Sequence, residues 1–157
     1  MQQYLARFED IVGIILVNFL IILSALQVFS RYVLNHPLGW TEELVRYVFI
    51  WSIFWGAAIV MRHREHVAVQ LFHESLPPTG KRVINIFNNL CILAFFAIVL
   101  PPAVWYATYA YRLKAVITEI PMFFVYVSFP VGGVLMAVHC FLDIREDLSR
   151  IRRGSGE

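Results

Sequence analysis

Glu42 and Glu43 stand side by side, Arg46 follows one helical turn later, and residues 47–61 then carry no charge at all. A carboxylate and a guanidinium at i, i+4 on a helix can pair, but one arginine cannot neutralise two adjacent carboxylates. At the edge of an apolar run, at least one of these glutamates is therefore expected to reach a neighbouring helix or another subunit. The stakes depend on burial: an exposed helical pair contributes about 0.3–0.5 kcal/mol, whereas removing one partner of a buried pair costs about 3–5 kcal/mol. At about 100° per residue, Glu42, Arg46, Phe49 and Ile53 share one helix face, with Gly56 and Ala57 flanking it further along. Trp51 and Trp55 point nearly the opposite way. Such a face is suited to contact with another protein.

Other groupings carry less chemistry. Gly133 and Ala137 form a small-xxx-small pair that lets a second helix approach closely. His139 and Asp143, one turn apart, have a spacing compatible with a proton relay or a metal-ligand pair, although a hydrogen bond at a helix end is the simpler expectation. Ser24, Gln27 and Arg31 form one polar strip and Asn85, Asn88 and Asn89 another, both of the kind that joins helices. Cys91 and Cys140 stand alone in apolar segments, without the spacing of a redox motif or a disulfide framework. No nucleotide loop, metal-spacing cluster or nucleophile–base set is recognisable, so an enzyme is not expected, and no cofactor is called for.

The elements that must position these residues are membrane helices. Of the 157 residues, 59% are hydrophobic and only 15% charged, and the mean hydropathy is +0.66. The formal net charge of +2 is too small to point to nucleic acid. Crossing about 30 Å of hydrocarbon takes about 20 apolar residues in a helix. Four segments qualify, at about 11–34, 41–61, 83–111 and 121–142, the third and fourth expected to be kinked by Pro101-Pro102 and Pro130. Thr41 is expected to N-cap the second. Between spans two and three, residues 66–76 are too short and polar to cross and read as an interfacial helix. The fold class is thus an all-α integral membrane protein, with one four-helix domain over 1–149 and a flexible tail over 150–157.

Orientation follows from the basic residues. Arg7, Arg62, Arg64, Lys81, Arg82, Arg145, Arg150, Arg152 and Arg153 fall on one side, against Arg31, Arg46, Arg112 and Lys114 on the other. Both termini are therefore expected in the cytoplasm. Trp40 and Trp105 then serve as anchors at the outer interface. None of the four spans carries an Asp, Glu, Lys or Arg deep within it, which argues against a self-sufficient transporter. An accessory subunit remains, with a four-helix anchor of a redox enzyme as the alternative.

The run Arg31-Tyr32-Val33, Pro37-Leu38, Trp40-Thr41-Glu42-Glu43-Leu44, Gly56-Ala57-Ala58, Arg62 and Glu65-His66-Val67 resembles the small membrane subunit, the DctQ-type or Q subunit, of tripartite ATP-independent periplasmic (TRAP) transporters. The resemblance implies a multi-pass protein of a bacterial or archaeal inner membrane. It also implies a much larger membrane subunit, here expected on a separate chain, that carries the sodium and substrate sites. A periplasmic binding protein would deliver the solute, an organic acid such as a C4-dicarboxylate or a sialic acid. The small subunit would be a scaffold for sodium-driven uptake, and Glu42, Glu43, Arg46, Gly56, Ala57, Gly133 and Ala137 are the residues expected at its subunit interface.

Overall fold

Wherever the backbone crosses hydrocarbon it must satisfy its own hydrogen bonds, and this chain does so with helices. The computed structural model describes residues 2–62 and 78–154; the interfacial helix expected over 66–76 lies outside them. The helices are α1 (Gln2–Tyr32), α2 (Gly39–Arg62), α3 (Pro78–Tyr109), the single turn α4 (Phe123–Tyr126) and α5 (Ser128–Gly154), with a 3-10 turn at Ala110–Arg112 closing α3. Among the described residues, four stretches are long and apolar enough to span a membrane: Leu5–Tyr32, Gly39–Arg62, Ile84–Arg112 and Phe123–Ser149. The protein is an all-α, multi-pass membrane protein.

The helix ends differ from the sequence reading for local reasons. α1 starts at Gln2, ahead of the charge-free run beginning at residue 11, because Glu9 and Asp10 find a cationic partner in Arg62 of α2 and need not end the span. It stops where Asn35 adopts φ 51°, a left-handed conformation that asparagine tolerates better than most residues. Thr41 is not the N-cap of α2. The helix already begins at Gly39, and the Thr41 hydroxyl donates back to the Leu38 carbonyl at 2.6 Å instead of accepting from the first turn. Pro101 and Pro102 lie inside an otherwise continuous α3. Pro130 sits in the first turn of α5, where its missing N–H is tolerated. The interruption of the fourth span therefore falls near its start, between α4 and α5, where Tyr126 has no proline N–H to accept. α5 also runs on to Gly154, through residues assigned above to a tail.

Packing sets the helices in a row. α1 lies against α2, α2 against α5, and α5 against α3. The inner position of α5 shows in its burial: 39% of its most apolar window is buried within the chain, against 6% for the first span at the edge. Adjacent glycines let α5 serve both neighbours. A β-carbon on Gly132 would stand 2.8 Å from Cβ and 2.9 Å from the carbonyl oxygen of Phe54 on α2, and one on Gly133 would stand 2.9 Å from Leu100 on α3. The chain thus leaves broad apolar helix faces uncovered by its own atoms.

Candidate functional site

At the end of the row away from the termini, α2 sorts its charged residues by direction. Glu42 faces outward. Its carboxylate lies 3.9 Å from Arg31 of α1 and 4.0 Å from Arg46, one turn along, and all three side chains are more than half exposed. Glu43, turned about 100° from it, serves the chain itself. Its carboxylate accepts hydrogen bonds from the Ile117 N–H at 3.0 Å, the Thr118 N–H at 2.9 Å and the Thr118 hydroxyl at 2.8 Å. One carboxylate is thus held by two guanidinium groups and the other by a loop, which accounts for the pair that Arg46 alone could not neutralise.

That loop, residues 113–122, is a small hairpin. Lys114 and Pro121 form an isolated antiparallel bridge, and Ala115 N–H donates to the Ile120 carbonyl at 2.9 Å and Met122 N–H to the Leu113 carbonyl at 2.8 Å. Glu119 turns it with φ 52°. It sits against the head of α2 at Gly39, where a β-carbon would come within 2.8 Å of Ile117 Cδ1. Below it, Trp51 Nε1 donates to the Phe124 carbonyl at 2.8 Å, tying α2 to α4.

Down α2, Phe49, Ile53 and Val60 continue the outward line of Glu42 and Arg46, and each is about half exposed. A β-carbon on Gly56, within the same line, would meet nothing within 4 Å. Ala57 is half-buried. Beside the stripe, Gly13, Ile14 and Val17 of α1 and Ser52, Gly56 and Ile59 of α2 bound a mainly apolar groove of about 480 Å³, with Asp10 and Asn18 of α1 also at its wall. The opposite face is closed: Trp55 is buried, and its indole N–H donates to the Glu9 carbonyl at 2.9 Å. Trp40 and Trp105 are both exposed, and Trp105 stacks on Tyr109 with ring centres 6.1 Å apart. Gly133 is taken up in packing against α3, and Ala137 is half-buried on the same helix.

At the termini end lies a cluster that the sequence reading left out. Glu9 is fully buried; one carboxylate oxygen meets His139 Nε2 of α5 at 2.8 Å and the other meets Arg62 of α2 at 3.2 Å. Arg62 also pairs with Asp10 and donates to the Ala6 carbonyl at 2.7 Å. Three helices are joined there through one carboxylate. His139, one turn from Asp143 on α5, makes a buried hydrogen bond to Glu9 of α1. A signal for this was present: an acidic pair directly before the first uncharged run and an arginine directly after the second must come level when two consecutive spans pack antiparallel.

Four spans in a row, ionic groups at both ends and an open apolar stripe between them define a multi-pass membrane subunit. Residues 20–150 match the family of tripartite ATP-independent periplasmic transporters, DctQ component, and the chain belongs to that family. It is a TRAP transporter small permease subunit and not an enzyme. A Haemophilus influenzae protein named as a TRAP transporter small permease is 30% identical over 93 residues, covering 59% of this chain and 58% of its own length. The sialic acid TRAP transporter small permease protein SiaQ of Vibrio cholerae is 24% identical over 136 residues, 87% of this chain and 79% of that one. The isethionate TRAP transporter permease protein DctMQ of Oleidesulfovibrio alaskensis is 26% identical over 149 residues, which make up 88% of this chain but 23% of that longer one.

Proposed function

We propose that this subunit is the fixed scaffold of a sodium-driven importer of an organic acid, docked to a large membrane subunit through the outward face of α2. The observation that carries the reading is the stripe Glu42, Arg46, Phe49, Ile53, Gly56 and Val60. It is one helix face long, charged at its head and apolar below, and open along its length. Support for a large neighbour comes from DctMQ, in which the matching region is one part of a much longer permease chain. The solute follows from the other components, with a periplasmic binding protein delivering it. The excess of Lys and Arg beside the termini supports a topology with both of them in the cytoplasm of a bacterial or archaeal cell and the loop of residues 113–122 on the periplasmic side of the inner membrane.

Within this reading, Glu42, Arg46, Gly56 and Ala57 meet the partner, whereas Glu43 and Gly133 act inside the chain. Gly56→Phe tests it. Because a β-carbon there meets nothing within 4 Å and the position opens onto the groove beside α1, the variant should insert and melt like the parent, yet fail to retain the large subunit through affinity purification. Proteoliposomes with the variant, the large subunit and the binding protein should show little sodium-driven uptake. Undiminished co-purification would move the interface off α2.

A further inference from the structure

The hairpin of residues 113–122 holds the most exposed large apolar side chain among the described residues, Val116, at 91%. Ile117 beside it is more than half exposed. In a loop projecting into water, such a tip would be costly; this loop does not project. Ile117 lies where a β-carbon on Gly39, at the head of α2, would come within 2.8 Å of it, and Thr118 is held by Glu43, four residues and so about 6 Å further down the helix. The tip therefore lies alongside the first turn of α2, level with Trp40.

Its backbone is prepared for such a place. Non-helical backbone near hydrocarbon needs its donors satisfied by the protein. Ala115 and Met122 are satisfied across the hairpin, and Ile117 and Thr118 by the Glu43 carboxylate, which takes the Thr118 hydroxyl as well. The surroundings are those of a membrane interface: Trp40, Tyr111 and Trp105 are exposed aromatic rings, and the exposed Arg112 and Lys114 outnumber the one exposed carboxylate of the hairpin, Glu119 at its turn.

We infer that the hairpin is a membrane-interface anchor, with Val116 immersed at the level of the lipid glycerol groups, Arg112 and Lys114 facing lipid phosphates, and Glu43 acting as the positioning residue that folds the loop down. The anchor would fix the tilt of α3 and α5, which the loop joins. This role is separate from docking of the large subunit, because Glu43 points away from the α2 stripe.

The test is nitroxide accessibility at Val116→Cys, in a chain with Cys91 and Cys140 changed to Ala, reconstituted in phosphatidylethanolamine–phosphatidylglycerol nanodiscs. The label should collide more readily with oxygen, which concentrates in lipid, than with a water-soluble nickel chelate. Adding Glu43→Ala should reverse that preference, and Glu43→Gln, which keeps acceptor oxygen, should restore part of it. A second label at Ile98→Cys, on the exposed middle of α3, should stay oxygen-preferring throughout and so report that the spans remain inserted. A nickel preference at Val116 in the parent would overturn the proposal, as would loss of both collisions on adding the binding protein, which would make the tip a protein contact. An unchanged Val116 in Glu43→Ala with intact Ile98 behaviour would overturn the role of Glu43.

Discussion

The two ends of the α1–α2 pair use the same chemistry to opposite effect. At the termini end, a glutamate, an aspartate, an arginine and a histidine close on one another, with Glu9 fully buried and Arg62 largely so. At the loop end, Arg31, Glu42 and Arg46 stand about 4 Å apart and more than half exposed. Near hydrocarbon, buried ionic contacts fix the geometry of a chain because either partner alone would be an uncompensated charge. Open ones fix little and remain available to another molecule. The first end thus sets the frame from which the second is presented.

The largest effect should come from breaking the closed end. Glu9→Ala strips His139 and Arg62 of their shared acceptor, and a loss of about 3–5 kcal/mol is expected, as for other broken buried pairs. Arg62→Ala should be similar in direction, because it leaves the Glu9 carboxylate buried without its cation. Thermal unfolding of the purified chain in detergent, followed by far-ultraviolet circular dichroism, reads both. If either variant melted like the parent, the cluster would be ornamental, and the contrast between the two ends would fail.

Next in size is the glycine pair that lets α5 sit between its neighbours. Gly132→Ala puts a methyl group 2.8–2.9 Å from Phe54 Cβ and carbonyl oxygen, and backbone cannot yield as a flexible side chain can. Overpacking of this kind costs about 1–3 kcal/mol. Gly133→Ala meets only the side chains of Leu100 and Phe96 and should cost less. The order of the two melting temperatures, with Gly132→Ala the lower, checks the packing of α5 independently of any charge.

How much of this was legible in sequence follows the same division. The four spans could be read because a long uncharged run has few other fates, and the outward face of α2 followed from helical periodicity applied to Glu42, Arg46, Phe49 and Ile53. Glu9 was missed because charge was taken to end a span, when a charge with partners on two other helices can lie inside a bundle. Glu43 was grouped with Glu42 because the two are adjacent; a turn of about 100° separates a residue that holds a loop from one that faces outward. Thr41 looked like a cap because its residue type fits, but type alone does not say whether a hydroxyl accepts or donates. Periodicity is local and survives in one sequence, whereas pairing across helices depends on register.

The smallest expected effect on stability gives the finest test of the comparison. Glu42 is paired with Arg31 and Arg46 in the open, so Glu42→Gln should change the stability of the isolated chain by less than about 1 kcal/mol, the range for exposed ion pairs. Under the proposed docking, the same change in the assembled transporter would meet a different environment. With the α2 face covered by the large subunit, the two arginines would lose their anion where water can no longer replace it, and the cost rises toward the buried-pair range of about 3–5 kcal/mol. At about 1.4 kcal/mol per tenfold, that weakens association by two to three orders of magnitude. The measurement is therefore a pair: the melting temperature of the isolated variant, expected to match the parent, and its affinity for the large subunit in nanodiscs, expected to fall. A fall in melting temperature as large as that of Glu9→Ala would make the open end a second structural clasp. An unchanged affinity would leave Arg31, Glu42 and Arg46 in water or lipid and confine docking to the apolar stretch from Phe49 to Val60.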